Sequence, residues 1–320
     1  MKSYEYRKAA EVYKTLLALS REKGDVKKAF DYGNLLRISS ALGDAPRQSV
    51  SFNGDSRIAL SRSLVGMQLP VEINNQKVSF IFDTGANIST ITASFAAKLG
   101  LKIIDVLIAV GSITGNKVKS RLALATAMRI GNSVVRNAVF LVFDDKDLFI
   151  PQANFQIDAI LGFPVIEALK EITISRGGEI FIPARAGRGA EQNMCLAGLT
   201  PLIAGIHKGR RLTFTFDTGA RTSSLYPPFF KAYEEEIKAR GVLQPEKITG
   251  AGGSKEVQAY RVSDIAMTFA GKEATFASVK VLIEETLDNS RYFYGNLGQD
   301  LIRQFEKITL NFRSMSMVFE

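Results

Sequence analysis

FIFDTGANIST, residues 80–90, puts an aspartate at the end of an apolar run and follows it at once with Thr84, Gly85 and Ala86. Val78, Phe80 and Phe82 alternate ahead of it, the period of a half-buried strand, so Asp83 stands where a buried strand stops and the chain bends. A charge there has an ordinary reading, a turn whose carboxylate accepts backbone N–H groups. One copy does not separate that reading from catalysis. The sequence holds a second, FTFDTGARTSS around Asp217, 134 residues on (217 − 83), with Leu212, Phe214 and Phe216 alternating before it.

The duplication extends beyond the motif. SITG at 112–115 pairs with KITG at 247–250, an offset of 135 (250 − 115), and ILG at 160–162 pairs with NLG at 296–298, an offset of 136 (298 − 162). Each half closes on a strand pair, EITISRGGEIFIP and KITLNFRSMSMVFE. Landmarks kept in order and nearly in register read as two homologous lobes, 61–184 and 196–320, with a Gly/Arg-containing linker at 185–195. Each lobe carries a helix after its motif. Thr92 caps ASFAAKL and Gly100 ends it, while Pro227 and Pro228 start FFKAYEEEIKAR and Gly241 ends it.

Ahead of the lobes, residues 46–60 are polar and Gly/Ser-rich and read as a linker. Residues 1–45 read as a helical hairpin. Tyr6, Ala9, Ala10, Tyr13, Leu16 and Leu17 recur at helical spacing, Gly24 and Asp25 supply a stop and a new N-cap, and Val26, Ala29, Phe30 and Leu36 form a face of the second helix. LLALSREKGDVKKAFDYGNLL resembles one tetratricopeptide-type helix pair, which implies a place where a partner protein could dock. A hairpin packed on the main body fits the same residues.

Composition narrows the function classes. A chain of 320 residues with 46% hydrophobic and 23% charged residues folds as globular domains, which removes disorder, collagen and coiled coil. No apolar run approaches the roughly 18 residues of a membrane span. The net charge of +9 is scattered through short clusters (KVKSR, RAGR, HKGRR) with no aromatic-interleaved basic stripe, so no nucleic-acid partner is expected. The single Cys195 excludes an internal disulfide and a cysteine-based metal site. The single His207 falls in the turn-like GIHKGRR and reads as a surface histidine, which leaves serine triads, cysteine–histidine dyads and histidine metal sites poorly supported. No metal or cofactor is expected. The first residues lack a signal-peptide apolar core. The compartment stays open: extracytoplasmic or periplasmic if an export signal has been removed, cytoplasmic otherwise.

Symmetry gives the paired motif its chemistry. Two like lobes packed about an approximate two-fold axis bring equivalent loops together on that axis, and Asp83 and Asp217 come face to face. Carboxylates about 3 Å apart do not both ionise, so they share a proton and offer an acid and a base together. A water between them loses a proton to the ionised carboxylate and attacks a carbonyl carbon, while the protonated one donates to the carbonyl oxygen. Such transfers contribute on the order of 10²- to 10⁴-fold. Gly85 and Gly219 let each loop turn tightly beside the other lobe, Thr84 and Thr218 carry hydroxyls that reach across, and Ala86 and Ala220 keep the cleft floor narrow.

With its doubled Asp-Thr-Gly-Ala and the later Leu-Gly landmark of each half, the chain resembles the aspartic peptidases of the pepsin and retropepsin group over most of 61–320. The resemblance implies a mainly β fold: two homologous acid-protease-like β lobes related by pseudo-two-fold symmetry, here preceded by a small α-helical hairpin. It also implies a cleft between the lobes and a dyad of Asp83 and Asp217. Within the group the likeness is to a retropepsin dimer fused into one chain, for which a monomer suffices. Each lobe has a Gly-bearing hairpin, VGSITGNKVKS with Ile113 and Gly115, and KITGAGGSKEV with Ile248, Gly250 and Gly252, read as two flaps over an extended peptide. Some positions depart from the group. Asn87 and Arg221 stand where retroviral relatives commonly carry a second aspartate, ILGFP and NLGQD lack an arginine after the glycine, and Asn296 replaces an aliphatic residue. The leading expectation is an endopeptidase cutting extended peptides between apolar side chains. The alternatives are a catalytically silent peptide-binding or scaffolding protein, and a selective processing enzyme whose target docks on residues 1–45.

Overall fold

The computed structural model describes residues 4–111, 117–250, 253–286 and 290–320. A helical hairpin precedes two strand-rich lobes, each with one large sheet, and a third sheet joins the lobes. The fold is mainly β with two sheet bodies.

In each lobe the motif strand is central. Gln76–Phe82 lies antiparallel to Gly66–Ile73 and parallel to Ala159–Leu161, and Arg210–Phe216 lies in the same senses beside Thr200–His207 and Gly295–Leu297. Alternation therefore drives Phe80, Phe82, Phe214 and Phe216 into the core, each at most 1% exposed. Burial of such a side chain contributes about 1.5–3 kcal/mol. Phe80 meets Phe140 edge-on at 5.9 Å and Phe214 meets Phe269 at 6.2 Å, so each motif strand is anchored immediately before its aspartate. In the first lobe Lys117–Ile130 pairs with both Gly66–Ile73 and Ser133–Phe143, which closes the sheet into a ring.

The joining sheet runs Ser56–Ala59, Glu179–Ile182, Glu171–Ser175, Lys307–Asn311, Ser316–Phe319, so the strand pair that closes each lobe is laid against its counterpart. Thr173 stands opposite Thr309 with their hydroxyls 2.8 Å apart. Equivalent residues face one another across an antiparallel pair only where a local two-fold axis passes between them. The axis is thus fixed at one end by these threonines.

Residues 46–60, read as a linker, carry the strands Ser49–Phe52 and Ser56–Ala59. The first extends the first-lobe sheet beside Ser133–Phe143 and the second edges the joining sheet. Serines at alternate positions hid the pattern: Ser56 is as buried as Ile58.

The hairpin consists of α1 (Tyr6–Glu22) and α2 (Val26–Ala41), with Gly24 left-handed between them and the Asp25 side chain accepting from Lys28 N at 3.0 Å. The face of α2 that is buried differs from the one expected. Val26 is 81% exposed, whereas Asn34, Ile38 and the following Leu42 are buried. The reason is a strand edge. Asn34 Nδ2 donates to Ala109 O at 2.8 Å and Asn34 Oδ1 accepts from Ala109 N at 3.3 Å, so a side-chain amide pairs with the outer strand Lys102–Gly111 as another strand would. A face led by an asparagine is invisible to a search for apolar spacing.

Two further readings are corrected. His207 is 4% exposed, with Nδ1 at 2.7 Å from Ala266 O and its ring 4.8 Å from that of Tyr233. The strand Thr200–His207 turns it inward and the turn begins one residue later, at Lys208. The second-lobe helix is two, Pro227–Ala232 and Glu234–Arg240, broken at Tyr233 (φ −134°), whose ring is wedged against Phe229 and His207.

Candidate active site

Both motif strands end on the same backbone device. Asp83 N donates to Leu161 O at 3.1 Å and Asp217 N to Leu297 O at 2.9 Å, after which each chain leaves its sheet toward the other lobe. The two loops then interlock. Thr84 N donates to Thr218 Oγ1 and Thr218 N to Thr84 Oγ1, both at 3.0 Å. Thr84 Oγ1 donates to Phe216 O at 2.9 Å and Thr218 Oγ1 to Phe82 O at 2.8 Å. Both threonines are fully buried. Each hydroxyl spends its proton on one carbonyl and its lone pair on one N–H, so four buried backbone groups are satisfied across the lobe boundary.

The glycines sit where no side chain fits. A Cβ on Gly85 would lie 2.7 Å from Asp217 Oδ1, and one on Gly219 would lie 2.6 Å from Asp83 Oδ1. Each lobe's glycine is therefore packed against the other lobe's aspartate. Ala86 and Ala220 follow, and their carbonyls accept from Phe163 N at 2.8 Å and Gln299 N at 2.9 Å.

The two carboxyls are hydrogen-bonded to each other and both are partly accessible. Asp83 Oδ1 accepts from Gly85 N at 2.7 Å. Asp217 Oδ1 accepts from Gly219 N at 2.9 Å and Ala220 N at 3.1 Å. Burial pushes the Asp83 carboxyl well above its ordinary value, and the charge of Asp217 and the hydrogen bond to it push in the same direction. The pair therefore favours one shared proton over two charges.

Behind the carboxyls the symmetry breaks. Asn296 Nδ2 donates to Asp217 Oδ2 at 2.9 Å. Asn296 Oδ1 in turn accepts from Thr215 Oγ1, and Thr215 is hydrogen-bonded to the buried Tyr226. In the first lobe Ile160 and Ile81 occupy the places of Asn296 and Thr215. One aspartate is thus backed by a polar chain and the other by aliphatic side chains. An amide N–H aimed at a carboxylate oxygen favours its ionised form.

Sequence reading noted Asn296 only as a departure and did not find its role. It also missed Ser89 and Ser223, whose hydroxyls accept from Gly162 N at 3.0 Å and Gly298 N at 2.9 Å, holding the Leu-Gly segment of each lobe against its motif loop. The signal was present in the repeat itself, a serine six residues after each aspartate (89 − 83 and 223 − 217). Of the residues read as flaps, Ile248 packs near Tyr226, Val257 and Leu282, and Gly250 pairs with Gly253. Ile113, Gly115 and Gly252 lie outside the described residues. Asn87 and Arg221 are exposed.

Residues 69–165 match a family model described as aspartyl protease. That span runs from the strand before the first motif to the segment after Gly162, so the first lobe is similar to aspartyl proteases over most of its length. A search of curated proteins gave no match.

Proposed function

We propose that this protein is an aspartic endopeptidase, with its two lobes playing the parts of the two halves of a retropepsin-type dimer within one chain. The observation that carries the reading is the hydrogen-bonded pair of Asp83 and Asp217, one from each lobe, joined across the axis by the threonine interlock. Asp217, whose carboxyl accepts from Asn296 and two backbone N–H groups, takes a proton from the attacking water. Asp83, held protonated by burial, donates to the carbonyl oxygen as the tetrahedral intermediate forms. Collapse of the intermediate returns the proton from Asp217 to the leaving nitrogen, and the carbonyl re-forms as its proton goes back to Asp83. The substrate is an extended peptide, since the paired strands Val242–Gly250 and Gly253–Val262 offer backbone to a strand-like ligand.

The deciding experiment is hydrolysis of a mixed peptide library by the wild type, Asp83→Asn and Asp217→Asn. We expect each variant to lose activity by about 10⁴-fold. Cleavage that survives either substitution defeats the proposal.

A further inference from the structure

The lobes repeat a backbone, but not the side chains of the sheet face that carries the site. In the second lobe, Thr215 pairs with Asn296, Asn296 with Ser224, Ser224 with Lys280, and Lys280 with Arg261. Paired residues on neighbouring strands point to the same side of a sheet. Asn296 identifies that side as the one facing the dyad, because its amide reaches Asp217. The corresponding row in the first lobe is Ile81, Ile160, Thr90, Leu141 and Leu122. Lys280 therefore replaces Leu141, and Arg261 replaces Leu122.

The two rows also differ in what covers them. Leu122 and Leu141 are buried under Tyr6, Ile38 and Leu42 of the helical hairpin. A cavity lined by Tyr4, Leu42, Ile88, Pro164 and Leu199 marks where hairpin, first lobe and second lobe meet. In the second lobe, Lys280 and Arg261 remain partly accessible.

The two cations of the open row are paired unequally. Arg261 donates through Nε and Nη2 to Glu246 Oε1, and Gln244 Nε2 donates to the same oxygen at 2.8 Å. Asp300 accepts from Ser223 N and from Ser223 Oγ at 2.6 Å, and from Leu301 N at 3.0 Å. Both neighbouring carboxylates are thus engaged. Lys280 feels their charge, but among the described residues it makes no ion pair. An ammonium sunk into a sheet face without a carboxylate bonded directly to it is costly, and its burial lowers its pKa. Lys280 lies two strands from Asn296, about 10 Å at the usual strand spacing. That distance corresponds to about three residues of extended peptide.

We propose, resting on the peptidase reading of this cleft, that Lys280 anchors a subsite for an aspartate or glutamate side chain of the substrate. The acidic residue lies within about three residues of the scissile bond, on the side held by the second lobe. The first lobe, with leucines at the matching positions, offers no such partner.

The test measures binding apart from turnover. Full-length protein carrying Asp83→Asn is titrated with fluorescent peptides that differ only by Asp against Asn, or Glu against Gln, at each position around the bond. We expect one position at which the acid binds about tenfold more tightly than its amide, the scale of a charge-assisted hydrogen bond at a half-buried site. Adding Lys280→Met brings that ratio to about one, Lys280→Arg keeps it, and Lys280→Glu reverses it in favour of lysine-bearing peptides. Equal binding of acid and amide, absence of peptide binding, or an acid preference that survives Lys280→Met but is lost in Arg221→Ala overturns the assignment. Turnover by the wild type is read in parallel. Acid-selective binding without any cleavage by the wild type leaves the subsite standing and removes the peptidase reading. Cleavage without acid selectivity does the reverse.

Discussion

Asn296 Nδ2 lies 2.9 Å from Asp217 Oδ2, and the residue that answers to Asn296 in the first lobe is Ile160. Two carboxyls at matching places on matching loops are thus backed by different side chains. Replacing Asn296 with leucine, the nearest apolar shape, removes a donor from the dyad and leaves Thr215 Oγ1 only the carbonyl of Gly295, at 3.3 Å, to donate to. The acidic limb of the pH–rate profile then moves to higher pH, and the maximal rate falls by about tenfold. A profile that scales down without shifting would show that Asn296 only packs.

Protonation of Asp83 links the site to stability. Burial raises its folded-state pKa above the unfolded value, so the folded protein binds this proton more tightly. That contribution is full below the unfolded carboxylate pKa of about 4 and is lost as pH rises through the folded value. Asp83→Asn never carries the charge, so its Tm should match the wild type near about pH 4 and exceed it near about pH 8. Thermal melts across that range decide the matter, and a gap that widens on acidification would contradict it.

The threonine interlock should dominate the stability of the lobe contact. Thr84→Ala strips Thr218 N of its acceptor and Phe216 O of its donor, both buried, at a cost of about 3 kcal/mol. Thr84→Ser keeps both bonds and should cost less than about 1 kcal/mol. Urea unfolding of the two variants is the comparison, and equal losses would place the effect in the methyl group.

Gly85→Ala tests the close approach of the lobes. The added Cβ would stand 2.7 Å from Asp217 Oδ1, so the carboxylate or the loop must shift. Near-attack geometry tolerates little displacement, and hydrolysis should fall by about 10²-fold or more. Retained activity with an unchanged melting point would mean that the loops part easily.

Asn34 holds α2 to the edge of Lys102–Gly111 through both groups of its amide. Asn34→Ala should accelerate hydrogen exchange at Ala109 and leave the amides of the joining sheet protected, because the loss is confined to that edge. A uniform rise in exchange across the chain would indicate global destabilisation instead.

Much of the architecture was legible because it was written twice. The repeat of Asp-Thr-Gly-Ala, the alternation of Phe80 and Phe82 against Phe214 and Phe216, and the paired Leu-Gly landmarks define two lobes and name both aspartates without any coordinates. Helix ends at Asp25 and Thr92 were equally plain, since a cap is a local hydrogen bond between residues three apart. The strands at 49–52 and 56–59, the inward turn of His207 and the buried face of α2 were not, because each depends on a partner far away in sequence.

The sequence by itself determined the pairing of the carboxylates, because a strand period and a repeat offset are properties of one dimension. Only the tertiary structure decided how the two differ. Asn296 is 79 residues from Asp217, Lys280 is two strands from Asn296, and the helical hairpin packs on Leu122 and Leu141 of the first-lobe row. Hydrogen bonds and burial act over a few ångströms in space whatever the separation along the chain, so the asymmetry of the site arises only once the lobes are folded.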